Sequence, residues 1–99
     1  MEQPTNMQID VSTTHGTSPN PAGIGKAGRT LVWAFKGNGS VTNVQIQDPG
    51  SYFSNFRQTG AVYLVDYAGS SGSLTWNYTA SATWNPTGDF GGELTNGGP

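Results

Sequence analysis

The sequence predicts an all-β fold, a single antiparallel β-sandwich (Ig-like or jelly-roll-like) or a small barrel of about six or seven strands. Three observations carry that expectation. Apolar and polar residues alternate with a period of two over several separate stretches, the pattern of strands with one buried face. Gly, Pro, Asn and Asp cluster between those stretches, where turns need them. No stretch spaces its apolar residues by three and four over a helical length.

Taken in order, Met7, Ile9 and Val11 alternate with Gln8, Asp10 and Ser12, which gives a first strand buried on one side. Residues 14–28 read as a long loop, broken by Pro19, Pro21, Gly23, Gly25 and Gly28. From residue 30 to 35 both faces are apolar, with Leu31, Trp33 and Phe35 on one and Val32 and Ala34 on the other. A central strand, covered on both sides, has that pattern. Lys36-Gly37-Asn38-Gly39 reads as a hairpin turn, because Asn and Gly accept positive φ. The return strand covers residues 41–47 with Val44 and Ile46 inward. Val41 is out of phase with them, which predicts a bulge near Thr42.

Asp48-Pro49-Gly50-Ser51 places Pro and Gly where a β-turn favours them. Residues 52–56 read as a short edge strand or an aromatic-lined loop, and residues 62–67 as a further strand before a turn at 68–72. The longest alternation follows. Leu74, Trp76, Tyr78, Ala80, Ala82 and Trp84 line one side; Thr75, Asn77, Thr79, Ser81 and Thr83 line the other. If this strand lies at a sheet edge, it has few charges to block strand addition. Residues 85–99 read as a Gly-rich C-terminal tail in which only Phe90 and Leu94 could anchor. The whole chain, 1–99, reads as one domain. With no cysteine, the Cys…Trp…Cys hallmark of an immunoglobulin domain is missing, so that likeness is one of architecture alone.

Composition narrows the chemistry further. Only 10% of the 99 residues are charged, there is one histidine (His15), and hydroxyl and amide residues stand where charges usually do. Four bases and six acids give a net charge of −2, unlike the clustered Lys/Arg of a nucleic-acid binder. No apolar run approaches the ~20 residues of a membrane-spanning helix. The N-terminal residues show neither the basic nor the apolar region of a signal peptide. The expectation is a chain made in the cytoplasm and incorporated into a particle or an exported assembly.

Motif matches are few. Gly23-Ile24-Gly25-Lys26-Ala27-Gly28 fits a dinucleotide-binding pattern in letters, but prolines precede it and a strand follows, where that chemistry needs a strand before and a helix after. His15, Asp10 and nearby serines lack a nucleophile-elbow pattern. One His and no Cys do not make a zinc site, and no acid spacing matches a calcium loop. Asp66, in phase with Val62 and Leu64, is the acid whose surroundings matter most. Asn38-Gly39-Ser40 and Asn77-Tyr78-Thr79 fit the glycosylation pattern, the second in mid-strand. Neither catalytic residues nor a metal or cofactor are expected.

Two functional readings remain. The first is a non-enzymatic structural or interaction module, a subunit of a larger assembly such as a virion, fibre or surface layer. Its partner would be itself or another structural protein, through the uncharged face of Thr75, Asn77, Thr79, Ser81 and Thr83. The second is a carbohydrate-binding module that stacks a glycan on exposed aromatics, with Tyr52, Phe53, Phe56 and Trp84 as candidates.

Overall fold

The computed structural model describes residues 5–83 and 87–96. Among them none is helical, and nine strands follow in chain order: β1 (Thr5–Ser12), β2 (Gly16–Ser18), β3 (Ala22–Gly23), β4 (Arg29–Phe35), β5 (Ser40–Ile46), β6 (Phe53–Thr59), β7 (Val62–Tyr67), β8 (Thr75–Thr83) and β9 (Thr87–Thr95). They form two sheets, of order β2-β1-β4-β7-β6 and β3-β9-β8-β5. The all-β class and the alternation behind it hold. Ile9 and Val11, Leu31 and Trp33, Val44 and Ile46, and Trp76, Tyr78, Ala80 and Ala82 are all buried. β4 is the central strand of its sheet, and the ladder between β5 and β8 shifts register between Val41 and Asn43, at the predicted bulge.

Several expectations are corrected. The sheets are mixed rather than antiparallel: β1 pairs parallel with β4, and β3 parallel with β9. The reason is the path between them. After β1 the chain turns into β2, contributes β3 to the second sheet, and returns to lay β4 beside β1 in the same direction; parallel neighbours need such a long crossover. The predicted loop at 14–28 therefore carries two short strands. The turn at 36–39 is not a hairpin, because β4 and β5 lie in different sheets. Gly39 permits that crossing, since a Cβ there would stand 2.7 Å from the Thr83 carbonyl oxygen and 2.8 Å from the Phe35 ring.

Another correction concerns the C-terminal tail. Residues 87–95 form β9, paired antiparallel with β8 along its full length. β8 therefore lies inside its sheet, between β9 and β5, and the condition for strand addition at its edge is not met. With β2, β3 and β9 added, the strand count exceeds the six or seven expected.

Both sheets send side chains into one hydrophobic cluster. The rings do much of the joining. Trp33 of the first sheet meets Tyr78 of the second edge-on at 5.1 Å between centroids. Trp76 of the second meets Phe53 at 4.9 Å and Tyr67 at 6.0 Å, both from the first sheet. Such pairs add roughly 0.5–1.5 kcal/mol each beyond the area they bury. The far end of the cluster is closed by the fully buried Asn96. Its Oδ1 accepts from the Leu74 N–H at 2.5 Å and its Nδ2 donates to Ser70 Oγ at 2.5 Å. Ser70 Oγ in turn is hydrogen-bonded to the Tyr67 hydroxyl, which donates to the Gly25 carbonyl at 3.2 Å.

Gly92 faces Tyr78 across the β8–β9 ladder. A Cβ there would lie 2.5 Å from the Tyr78 hydroxyl oxygen and 2.7 Å from Thr17 Oγ1. Both neighbours are buried, and Thr17 is held by a 2.9 Å bond to the Gly91 carbonyl. Gly92→Ala is therefore expected to destabilise the fold by about 1–3 kcal/mol, the range for forcing a group into a filled interior. Urea denaturation checks this, and an unchanged midpoint would mean that the space beside Tyr78 is not filled.

Candidate functional site

The predicted site residues divide by which side of the strand they occupy. Phe53, at the start of β6, is buried and stacks on Tyr67 at 5.2 Å. Tyr52 is half-buried and packs against Trp76 at 5.4 Å. These two expected ligand-stacking rings belong to the core, because the chain has few large aliphatic residues with which to fill it. Phe56 differs: at 39% exposure it is the exposed large hydrophobic among the described residues. Trp84 lies outside the described residues. Thr75, Asn77, Thr79 and Thr83 are exposed and Ser81 is half-buried, all on the outer side of β8.

Pairing extends this outer side into a face. Asn43 stands opposite Ser81 and Gln45 opposite Thr79, and the Gln47 N–H donates to the Asn77 carbonyl at 2.8 Å. On the other flank Asp89, Gly91, Glu93 and Thr95 of β9 stand opposite Ser81, Thr79, Asn77 and Thr75. The face is thus built of amides, hydroxyls, exposed glycine and two carboxylates. Its acids are Asp89, which accepts from the Ser81 hydroxyl at 2.9 Å, and Glu93. Its described side chains include no base, since Lys26, Arg29, Lys36 and Arg57 all lie on the first sheet or on the connections beside it.

Along β5 this face ends in a groove of about 580 Å³. Asn43, Gln45, Gln47 and Asn77 supply amides to it, and Phe56 and Tyr63 of the first sheet supply rings. A smaller recess of about 270 Å³ continues past Gln47 and Asn77, which line both, toward Asp48 and Trp76. Of these lining residues Asn77, Thr79 and Phe56 are among those expected from the sequence, whereas Asn43, Gln45, Gln47 and Tyr63 are not. A one-strand alternation cannot tell which other strand will lie beside it.

The remaining polar constellation sits on the opposite sheet. Asp66 accepts from Asn55 Nδ2 at 3.0 Å, from Thr30 Oγ1 at 3.1 Å and from Arg57 Nη1 at 3.2 Å. Asn55, with φ of 58°, sits in the β6 bulge between Ser54 and Arg57, and that bulge aims its amide at the carboxylate. The Asn55 hydrogen bond is the largest influence and holds the Asp66 carboxyl below its ordinary value of 3.8; desolvation, next in size, opposes it, and the hydrogen bonds from Thr30 and Arg57 add to the lowering. Burial, by contrast, pushes the Tyr78 hydroxyl above its ordinary 10.0. The lone His15 is exposed in the β1–β2 turn, where its backbone N–H donates to Ser12 Oγ at 3.0 Å. Asp10 is taken up by Gln8 at 2.8 Å and Lys36 at 3.9 Å.

The Gly23–Gly28 motif runs from β3 through a turn into strand β4. Among the described residues, no group of three or more His, Cys, Asp or Glu is placed to hold a metal ion. No helix among them is long and apolar enough to cross a membrane. Compared with models of known protein families, with curated proteins and with solved structures, the chain gives no match.

Because Asp66 has a lowered pKa in the folded chain, its contacts contribute stability above the unfolded value near 3.8 and lose it as the pH falls through the folded value. Asp66→Asn should thus lower stability at neutral pH by under about 1 kcal/mol, the usual range for exposed pairs. The gap to the parent should close once the pH drops below both values. Denaturation at a series of pH values reads this directly; a gap that is constant down to strong acid would assign the effect to shape rather than charge.

Proposed function

We propose that this chain is a non-enzymatic interaction module that works as a subunit of a larger assembly, with copies meeting through the outer face of the β3-β9-β8-β5 sheet. In this reading the two sheets stack as an open sandwich, which presents that face as one flat surface. The observation that carries the proposal is the make-up of the face. Thr75, Asn77, Thr79 and Thr83 on β8, flanked by Asn43 and Gln45 on β5 and by Gly91 on β9, present hydrogen-bonding groups without a base. Groups of this kind can be brought against a second protein surface with a far smaller desolvation penalty than charges incur.

Support for a non-enzymatic role comes from how the ionisable groups are used. Asp66 is saturated by side chains of its own sheet, Asp10 is paired with Lys36 and Gln8, and Asp89 is bonded to Ser81. His15 stands in an exposed turn away from the groove. General acid–base work needs such groups to converge on a substrate position. A virion, a fibre and a surface layer are all settings that such a subunit would suit.

Gly91 gives the test. It is exposed at the middle of β9, and a Cβ there would meet only the Tyr78 carbonyl oxygen at 3.8 Å, an ordinary contact. Gly91→Lys therefore places a long charged side chain on the face while leaving the core alone. In sedimentation velocity the parent should run as a species heavier than its 10.4 kDa chain, and Gly91→Lys should run as a monomer with an unchanged circular dichroism spectrum. A variant that associates as the parent does would exclude this face as the contact.

A further inference from the structure

The groove along β5 carries a second inference, argued from its own lining, although Asn43, Gln45, Asn77 and Thr79 also belong to the proposed assembly face. We infer that it is a binding site for a neutral carbohydrate, gripped by the amides of Asn43, Gln45, Gln47 and Asn77 and stacked on Phe56.

The ligand class follows from what the walls can recognise. The four amides supply both donors and acceptors, at positions fixed by the ladder: Asn43, Gln45 and Gln47 alternate along one side of the strand, and Asn77 is paired with Gln47. Vicinal hydroxyls are donors and acceptors too, so a sugar edge can answer an amide at both of its ends. No Lys, Arg, Asp or Glu lines the main groove, which gives an ionic ligand nothing to pair with. A purely apolar ligand would strip water from four amides without replacing its hydrogen bonds, at a cost that apolar contact does not recover. Phe56 supplies the missing half of a sugar site. Its ring is the exposed one, and it offers an apolar surface to the C–H face of a pyranose.

An extended peptide is the competing occupant, and the main chain of β5 argues against it. β5 is the rim of its sheet. Because Gln47 bonds to Asn77, the alternation of an antiparallel ladder turns the N–H and C=O groups of Val44 and Ile46 away from β8, toward the groove. Strand addition would use those groups. Yet Val44 is 2% exposed and Ile46 6%, so the backbone template is covered. The tip of the β6–β7 hairpin leans onto the same rim, where Ala61 accepts from the Val41 N–H at 2.9 Å. Recognition here falls to side chains, which suits a polyhydroxyl chain better than a β-strand. The adjoining recess, with Trp76 and the shared Gln47 and Asn77, continues the track beyond one sugar ring.

The test is a titration of the ¹⁵N-labelled full chain, read by NMR, against neutral linear hexasaccharides built from glucose, xylose, mannose and N-acetylglucosamine, and separately against an uncharged hexapeptide of alternating Thr and Val. The expected result is saturable shifts of the side-chain amides of Asn43, Gln45, Gln47 and Asn77 with at least one sugar. Gln45→Ala and Phe56→Ala should each weaken that binding about tenfold or more while the remaining spectrum is unchanged. Three results would overturn the inference: no sugar in the panel shifts these amides, both variants bind as the parent does, or the peptide alone binds and shifts the backbone amides of Val44 and Ile46. Gly91→Lys separates this site from the assembly face. Gly91 is not among the residues lining the groove, so Gly91→Lys should still bind the sugar while running as a monomer, and the titration is made on this variant as well as on the parent.

Discussion

The fold depends on aromatic rings reaching from one sheet to the other. The chain has no cysteine and few charges, so neither disulfides nor ion-pair networks hold the layers together. What does so is Trp33 against Tyr78 near one part of the interior, and Trp76 against Phe53 and Tyr67 near another. Large rings cover much area for each residue spent, which is how a chain only 33% hydrophobic encloses a buried core. The same economy explains the glycines. Where Tyr78 and Thr17 fill the interior, β9 has Gly92; where Phe35 and the Thr83 backbone close in, the crossing from β4 to β5 has Gly39. These glycines make room for the rings.

That relation decides how much of the fold could be read in advance. Alternation over Ile9 and Val11, over Leu31 and Trp33, and over Trp76, Tyr78 and Ala80 is local, strong and unambiguous, so those strands and their buried sides were legible. The bulge beside Thr42 was legible too, from Val41 falling out of phase with Val44. β9 was not. Two of its inward positions are Gly88 and Gly92, opposite Ala82 and Tyr78, and glycine carries no hydrophobic signal even where it marks close packing. The two short strands β2 and β3 exist only because Asp10 and Leu94 lie beside them in space. The parallel pairing of β1 with β4 likewise joins segments whose own sequences say nothing of each other. A turn sequence such as Lys36-Gly37-Asn38-Gly39 specifies a reversal, but not whether the next strand stays in the same sheet.

The candidate site was legible to the same degree and for the same reasons. The outward Thr, Asn and Ser of β8 were evident from period two alone. What gives them meaning is the neighbours: Asn43, Gln45 and Gln47 on one flank, Gly91 and Glu93 on the other. Those residues turn a polar stripe into a face without a base, with a groove along its rim. The aromatic cluster at 52–56 split in the opposite way, because Tyr52 and Phe53 were needed inside and only Phe56 was left outside. The bases follow a similar division. All four lie on the first sheet or its connections, where Arg57 and Lys36 pair with Asp66 and Asp10, and that leaves the second sheet's outer face to amides, hydroxyls and the carboxylates of Asp89 and Glu93.

The central claim is that this outer face, rather than any other surface, meets the partner copy. Hydrogen–deuterium exchange of the parent chain at low and at high protein concentration tests it without any substitution. The account predicts that exchange slows with concentration in the segments 75–79 and 89–93, while the outer side of the β2-β1-β4-β7-β6 sheet, around Asp66, exchanges at the same rate throughout. Exchange that is independent of concentration everywhere, or protection that appears around Asp66 instead, would contradict it.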